Sequence, residues 1–250
     1  MFFFKFIILG ILFFILFLFS FLEKKKIEKF KSLQFTHFQK EAKIHTIKRL
    51  TIHNSYLNLK IANIPILDIA KFIDKTYHEY NSILECSDIE KNYLYTMIKQ
   101  YFTKHKIIKY EQSLTNQGLV KYFNLNVKTN KELINYLYNY VSIIYLYLKN
   151  YHNRVRPEFC FKNLRSSHSK KNIFLPNHAS YPSGHATDSY FIHYFTNKNY
   201  ALADSISKNR EIAGVHYPSD TKYGKFIAYV LVYIIKNKNF PKEENLYDFL

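Results

Sequence analysis

The chain has 250 residues, of which 48% are of apolar type and 22% are charged. This balance excludes an intrinsically disordered chain, because enough apolar surface is available to form a core, and five glycines with six prolines are too few for the many tight turns of a β-sandwich or barrel. The net charge of +17 comes mainly from lysines that are scattered, without Arg-rich or Gly-rich motifs, so we expect a solvated basic surface and no nucleic-acid partner.

The N-terminal segment is the most apolar part of the chain. Residues 1–22 contain a single charge, Lys5, and are unbroken in apolar character from Phe6 to Phe19. That length lies between the core of a signal peptide and a spanning helix, which needs about 20 residues. No pair of small residues marks a clear cleavage site, so the segment is either a secretory signal or an uncleaved membrane anchor. The lysines within residues 24–31 argue against export of the body by the positive-inside rule.

The rest of the chain, residues 23–250, is predicted to be one helical domain. Apolar residues recur there at helical spacing, and we find no internal repeat and no second segment long enough to span a bilayer. The patterns predict helices within 64–110, 130–150, 186–196 and 222–236, and a polar loop over 158–180. An all-α bundle is the fold class that these patterns favour.

The two cysteines, Cys86 and Cys160, are too few for a disulfide scaffold and lack metal-ligand spacing. We interpret them as buried thiols or, if the body is exported, as one disulfide. No cluster of Asp, Glu, His or Cys at metal-ligand spacing occurs elsewhere in the sequence, so we expect no metal site.

The first of three short motifs ends the apolar helix predicted over 130–150. Lys149 lies at its C-terminus, where a cation suits the helix dipole. Arg156 precedes Pro157, which predicts extended or turn geometry at the arginine. Taken alone, this segment is typical of an ordinary basic helix end.

The second motif, Ser180-Tyr-Pro-Ser-Gly-His185, stands immediately before a predicted helix. A Pro-Ser-Gly sequence at that point directs free backbone N–H groups and the positive end of the dipole to one place, which suits a phosphate or sulfate. Ser183 can add a hydroxyl donor, and His185 lies in the first helical turn. A serine hydrolase is disfavoured, because no Gly-x-Ser-x-Gly elbow is present.

The third motif runs from Arg210 to Asp220 and contains His216 four residues before the aspartate. If Pro218 opens a helix, Asp220 falls in its first turn and can accept a hydrogen bond from His216 Nδ1–H. That bond would fix the tautomer and leave Nε2 as a nucleophile or base. Alone, a His/Asp pair at this spacing is more often structural than catalytic.

Together the motifs resemble the three-part signature of the type-2 phosphatidic acid phosphatase superfamily. The matching strings are Lys149-x6-Arg156-Pro157, Pro182-Ser183-Gly184-His185 and Arg210-x5-His216-x3-Asp220. That superfamily includes bacterial class A acid phosphatases, membrane lipid phosphatases and vanadium haloperoxidases, and residues 180–185 look most like the class A enzymes. The resemblance covers residues 149–220. Two positions depart from it: Asn209 stands where Ser is usual, and Ala186 where class A members usually have Thr.

The resemblance implies an all-α acid phosphatase, with its active site between helices, that hydrolyses phosphate monoesters through a phosphohistidine, without metal or cofactor. His216 would be the nucleophile, Asp220 its orienting carboxylate, and His185 the acid that protonates the leaving group and then activates water. The implied substrate-binding groups are the cations Lys149, Arg156 and Arg210, the Ser183 hydroxyl and the Gly184 N–H. Cations near His185 should lower its pKa until the substrate dianion binds, which predicts an acidic working range.

Two other functions stay open from the sequence. A membrane-associated phosphatase acting on lipid phosphates or isoprenyl pyrophosphates would use the same motifs, with the basic surface helping it to meet lipid head groups. A non-catalytic phosphate- or phospholipid-binding protein would keep the cations but would not need both His185 and His216. The resemblance to class A enzymes favours export of the body, with a location in the periplasm or on the membrane through residues 1–22.

Overall fold

The computed structural model describes residues 58–81, 87–102, 116–161, 178–246 and 249, without the side chains of 98–102 and of 116–117. These residues belong to one compact unit, Thr46–Leu250. The predicted N-terminal segment 1–22, Cys86 and most of the predicted loop 158–180 lie outside the described residues. Cys160 is disulfide-bonded, which favours the second of the two interpretations of the cysteines.

The described residues are mostly helical. The helices are α1 (Ile66–Tyr80), α2 (Asp88–Phe102), α3 (Asn116–Tyr122), α4 (Lys131–Tyr136), α5 (Ser142–His152), α6 (Pro157–Cys160), α7 (Gly184–Thr196), α8 (Tyr200–Ile212) and α9 (Pro218–Asn237). A π-helical turn, Leu137–Val141, joins α4 to α5, and a 3₁₀ turn covers Glu243–Asn245. The all-α prediction is therefore confirmed at the level of helical content.

A small antiparallel ladder is the exception to the helical prediction. Strand β1 (Lys60–Ile61) pairs with β2 (Ile64–Pro65), so that Ile61 is opposite Ile64. The two turn residues, Ala62 and Asn63, both have positive φ, at 52° and 68°, as a type I′ turn requires. Asn is a usual residue there but Ala is not, so the local residue types do not indicate this hairpin.

The core lies where α9 packs against α7, with α8 against α7 and α1 against both α5 and α9. The buried face of α9 carries Phe226, Ile227, Val230, Leu231 and Ile234, all fully buried. This recurrence at three and four residues is the apolar stripe that predicted the helix. The structure begins α9 at Pro218, four residues before the predicted start, as expected for proline in a first helical turn.

Gly224 allows α9 to approach the N-terminus of α7 closely. A Cβ at this position would lie 2.9 Å from the Ser183 carbonyl oxygen and 3.0 Å from Thr187 Oγ1. Both distances are shorter than packing allows, and a backbone carbonyl cannot move aside cheaply. The second motif therefore sits directly against α9, the helix that carries Asp220.

Three elements differ from the predicted pattern. Helix α8 was not predicted, because the residues it buries include Ala203, Ser207 and Arg210, which give no clear apolar stripe. Helix α3 is only two turns long and was also missed. The predicted loop over 158–180 is wrong at its start, where α6 continues to Cys160 from a proline at its first position.

Within the described part of the chain, we find no helix of the length and apolar character needed to cross a membrane.

Candidate active site

Backbone hydrogen bonds join the three sequence motifs. The Ser180 N–H donates to the Arg154 carbonyl at 2.9 Å, which ties the second motif to the first. The Ser183 N–H donates to the Asp220 carbonyl at 3.0 Å, which ties the second to the third. The motifs are therefore held in one place by main-chain contacts that do not depend on side-chain rotamers.

His216 and Asp220 form the predicted pair. His216 Nδ1 lies 3.0 Å from Asp220 Oδ2, which also accepts the Tyr217 N–H at 3.0 Å. Since a carboxylate oxygen can only accept, the histidine hydrogen is on Nδ1 and the lone pair is on Nε2. Pro218 and Asp220 both lie in the first turn of α9, as the spacing predicted.

Arg154 holds the other side of the aspartate and was missed by the sequence analysis. Its Nη1 donates to Asp220 Oδ1 at 2.8 Å and its Nη2 to Glu90 Oε2 at 2.6 Å. The guanidinium also lies over the Tyr217 ring, 3.8 Å from the centroid. Burial raises the pKa of Asp220 and Arg154 opposes that rise. With donors on both oxygens, the carboxylate form is the one that this site holds.

Replacing Arg154 with Met should destabilise the fold by about 3–5 kcal/mol, because it leaves the Glu90 and Asp220 carboxylates buried without their cation. Arg154 is 1% exposed, so solvent cannot replace it. Urea unfolding measures the effect. Lys91→Ala is the matched control: Lys91 pairs with exposed Asp88 at 3.6 Å and should cost less than about 1 kcal/mol. Equal losses in the two variants would contradict the buried ion-pair assignment.

Arg156 lies beside the candidate nucleophilic atom. Its Nη1 is 3.4 Å from His216 Nε2 and donates to the Val215 carbonyl at 2.7 Å, while its Nε donates to the His178 carbonyl at 2.8 Å. Its backbone is extended, at φ −72° and ψ 154°, as its place before Pro157 predicted. A planar cation next to the lone pair of Nε2 is suited to bind the oxygens of a phosphoryl group attacked there.

Lys149 is engaged with the loop that precedes α7. Its ammonium donates to the carbonyls of Ala179 and Ser180, each at 2.9 Å, and to that of Pro182. An ammonium has three hydrogens, so these carbonyls take all of them. Burial and the neighbouring Arg156 lower the pKa of Lys149 well below its usual value. Lys149 therefore positions the loop before Ser183, and its contact with a phosphate stays a prediction.

Ser183 and Gly184 begin α7 as predicted. Ser183 is the N-cap: its Oγ accepts the Ala186 N–H at 3.4 Å, which leaves its own hydrogen available to a ligand oxygen. Gly184 packs closely against Tyr145: a Cβ there would lie 3.2 Å from the ring, so the ring would have to shift by a few tenths of an ångström. The second motif thus forms the N-terminus of α7 and packs against the Tyr145 ring.

The histidines share an electrostatic environment with the predicted cations. Burial is the largest cause that lowers the pKa of His185 to about 3, followed by the positive charges of Arg210, Lys149 and Arg156. Burial and the same three cations, with His185 itself, lower the pKa of His216 well below its usual value. The direction expected for His185 is confirmed, although burial contributes more than the cations named in the prediction. Among these residues, Arg156 and His216 are in direct contact, at 3.4 Å between Nη1 and Nε2.

Two buried carboxyls near these cations were not predicted. Glu158 is 1% exposed, and burial raises its pKa to about 7 although Arg156 lowers it. Asp188 is also buried; desolvation raises its pKa well above the usual value, and Lys149 opposes that rise. Their positions in the sequence were the one available signal: Glu158 directly follows Pro157, and Asp188 comes three residues after the end of the second motif.

His185 Nε2 is buried and has no hydrogen-bond partner among the described residues. Neither oxygen of Glu158 nor Oδ1 of Asp188 has one there. Buried polar atoms are normally paired, and an exception needs an explanation. A polar ligand that reached these atoms would supply a partner.

No protein-family model matches the chain, and no curated protein matches it significantly. Evidence about function therefore comes from the motifs in residues 149–220 and from the geometry described above.

Proposed function

We propose that the chain is an acid phosphatase, a phosphomonoesterase that acts through a phosphohistidine on His216 without a catalytic metal. The observation that carries the proposal is the state of that imidazole. Nδ1–H is held by Asp220 at 3.0 Å, and Nε2 faces the Arg156 guanidinium at 3.4 Å. A neutral histidine with its lone pair directed at a buried cation is prepared to attack a phosphoryl group bound by that cation.

In the first step, the Nε2 lone pair of His216 forms a bond to phosphorus, and the bond from phosphorus to the ester oxygen breaks. His185 donates a proton to the leaving oxygen. The positive charge that develops on the His216 ring is balanced by Asp220, which accepts from Nδ1–H. Arg156 and Arg210 offset the charge on the phosphoryl oxygens.

In the second step, His185, now neutral, takes a proton from water. The hydroxide attacks phosphorus, the phosphorus–nitrogen bond breaks, and its electron pair returns to Nε2 of His216. The products are inorganic phosphate and the free enzyme. Both steps use the same cations, so charge compensation by a metal is not required.

The proposed site lies between helices of a bundle: the C-terminus of α5 supplies Lys149, and the N-termini of α7 and α9 supply Ser183 and Asp220. The Ser183 N–H bond to the Asp220 carbonyl supports this arrangement. Helix N-termini favour an anion because their first N–H groups are unpaired and the dipole is positive there.

We propose that the body is exported, to the periplasm or to the membrane surface through residues 1–22. The disulfide bond of Cys160 supports this location, because disulfides persist in oxidising compartments and are rare in the cytosol. The partner is then a phosphate ester outside the cytoplasm.

Hydrolysis of p-nitrophenyl phosphate by the purified full chain tests the proposal. We expect saturable release of phosphate at acidic pH. A second reaction with a lipid phosphate in detergent micelles shows whether the site prefers lipids. Failure to hydrolyse either ester, with inorganic phosphate still bound, would favour the non-catalytic phosphate-binding protein and contradict the proposal.

Catalysis should not depend on a divalent cation. Initial rates measured in EDTA at a temperature well below unfolding should equal those without it, because the arginines already compensate the phosphoryl charge. Vanadate should inhibit competitively, since it adopts the trigonal-bipyramidal shape of the transferred group. Activity that disappears in EDTA and returns with Mg²⁺ would contradict this mechanism.

His185→Ala should slow hydrolysis of an alkyl phosphate far more than that of p-nitrophenyl phosphate. A nitrophenolate leaves without a proton, whereas an alkoxide needs one, and general acids of this kind contribute about 10²–10⁴-fold. Because burial and the cations lower the pKa of His185 to about 3, its protonated form is lost at a lower pH than that of an ordinary histidine. The wild-type rate with the alkyl ester should therefore fall toward alkaline pH.

The ratio of the two rates, wild type over variant, is measured for each ester at one acidic pH. Equal losses with both esters would show that His185 only binds phosphate, and the general-acid assignment would be wrong.

A further inference from the structure

A second cluster of ligand-type side chains lies outside the candidate active site. Asp74 and His78 are one turn apart on α1, and His152 is the last residue of α5. His152 Nε2 is 2.6 Å from Asp74 Oδ1, and His78 Nε2 is 3.4 Å from the same oxygen. One potential ligand atom from each of the three residues falls within 4.8 Å of the others. The sequence showed no such cluster, because 74 positions separate His78 from His152.

The ring of His78 is oriented as a ligand would be. Its Nδ1–H donates to the Asn81 carbonyl at 2.8 Å, which leaves the lone pair on Nε2. That lone pair now accepts a hydrogen bond from the Tyr181 hydroxyl at 3.2 Å, which a bound cation would replace. Metal-ligating histidines usually donate their other ring N–H to a carbonyl or carboxylate in this way. Asp74 is supported in turn by the Tyr223 hydroxyl, which donates to Oδ1 at 3.0 Å.

Two of the three separations between the ligand atoms can be compared with those around a small cation. Zinc lies about 2.0–2.2 Å from nitrogen and oxygen ligands, so tetrahedral ligands are roughly 3.2–3.6 Å apart by the same geometry. The present separations of 2.6 Å and 3.4 Å around Asp74 Oδ1 are within small movements of that arrangement. In the cation-free state, a hydrogen on His152 Nε2 bridges to the carboxylate, and a bound cation would displace it to Nδ1.

We propose that Asp74, His78 and His152 bind one divalent transition-metal cation, with zinc as the type case. Two imidazoles and a carboxylate suit zinc, cobalt and nickel better than magnesium or calcium, which prefer oxygen-only ligand sets. Asp74 also lines a surface cavity together with Tyr147 and the lysines Lys71 and Lys75, and about a fifth of its side chain is exposed. Solvent therefore reaches the cluster at Asp74.

The cation would brace the elements that carry the active site. Tyr223 lies on α9, about one turn beyond Asp220, and its ring stacks on Tyr181 with centroids 4.6 Å apart. Tyr181 immediately precedes Pro182 and Ser183, and its hydroxyl is 3.2 Å from His78 Nε2. The site therefore has a structural role and does not rest on the proposed phosphatase function.

Zinc binding to the full chain, produced without a histidine tag and stripped with EDTA, tests the proposal. Titration calorimetry with zinc chloride should give one equivalent, and bound cobalt should show visible absorption bands of nitrogen ligation. The thermal midpoint should rise on adding zinc, because a ligand of the native state stabilises it. Asp74→Asn and His152→Gln should each weaken zinc binding by about 100-fold or more. Losing a residue that only supports a ligand costs about 10–100-fold in metal affinity, and losing a ligand itself should cost at least the upper end of that range.

His193→Gln is the matched control, since His193 lies in the last turn of α7 and belongs to no cluster of this kind among the described residues. Circular dichroism and melting in EDTA establish that each variant is folded. The proposal would be overturned if the wild-type protein showed no saturable zinc binding. It would also be overturned if the wild type and both cluster variants bound zinc with the same affinity. If a variant does not fold, the cobalt spectrum of the wild-type protein decides: a spectrum without bands of nitrogen ligation would overturn the proposal. Phosphatase rates are measured separately in EDTA, so failure of either proposal is visible alone.

Discussion

His216→Ala should lower kcat for p-nitrophenyl phosphate by about 10³-fold or more, because no other side chain can take over the covalent step. The expected loss follows from the place of His216: Nε2 is the unprotonated atom beside Arg156, and Nδ1–H is committed to Asp220. The His178 ring also contacts Arg156, with Nδ1 3.2 Å from Nη2, so His178→Ala in the His216→Ala background shows whether it substitutes. Steady-state kinetics at saturating substrate measure the loss. His193→Ala serves as the control histidine variant and should retain full activity.

Loss of the fold must be separated from loss of the nucleophile in this experiment. His216 is 3% exposed, so removing its ring leaves a small cavity that costs some stability. Vanadate should still bind to the variant, because Arg156 and Arg210 are unchanged. A folded His216→Ala protein that keeps more than a tenth of wild-type kcat would show that another residue or water attacks phosphorus.

Asp220→Asn should lower kcat by about 10- to 10⁴-fold while KM changes little; the upper end is the loss seen when the orienting carboxylate of another His-based site is neutralised. An amide has one oxygen, so it can accept from His216 and Tyr217 or from Arg154, but not from all three as the carboxylate does. The imidazole or the guanidinium therefore loses its hydrogen-bond acceptor. The substitution also removes the negative charge that balances the imidazolium. Kinetics over a range of substrate concentrations separate kcat from KM.

Asp204→Asn is the matched control for the aspartate. Asp204 pairs with Lys208 at 2.7 Å on α8 and is partly exposed, so its loss should leave kcat unchanged. If Asp220→Asn raises KM strongly and leaves kcat unchanged, Asp220 positions substrate-binding groups and not the nucleophile.

Local signals predicted the helix ends that form the site. Pro182-Ser183-Gly184 marked the start of α7, and Pro218 placed Asp220 in the first turn of α9, since capping and proline preferences depend on few neighbouring residues. Helix α8 could not be predicted in the same way. It buries small and polar side chains such as Ser207 and Arg210, so it has no apolar stripe, and its packing against α7 determines its place.

Contacts between residues far apart in the chain could not be predicted from the sequence. The His216–Asp220 pair has local spacing and was predicted, whereas the Arg154–Glu90 pair joins α2 to the first motif across 64 positions. The contact of Lys149 with a phosphate stays a prediction, whereas its hydrogen bonds to the loop carbonyls could not be predicted, because only the folded chain brings those carbonyls near it.

The stereochemistry at phosphorus tests the covalent mechanism most directly. A phosphate ester made chiral with oxygen isotopes is incubated with the protein and an alcohol acceptor, and the configuration of the transferred phosphoryl group is determined. Attack by His216 followed by attack of the acceptor inverts the centre twice, so we expect net retention. Net inversion would mean a single direct displacement and would contradict a phosphohistidine intermediate.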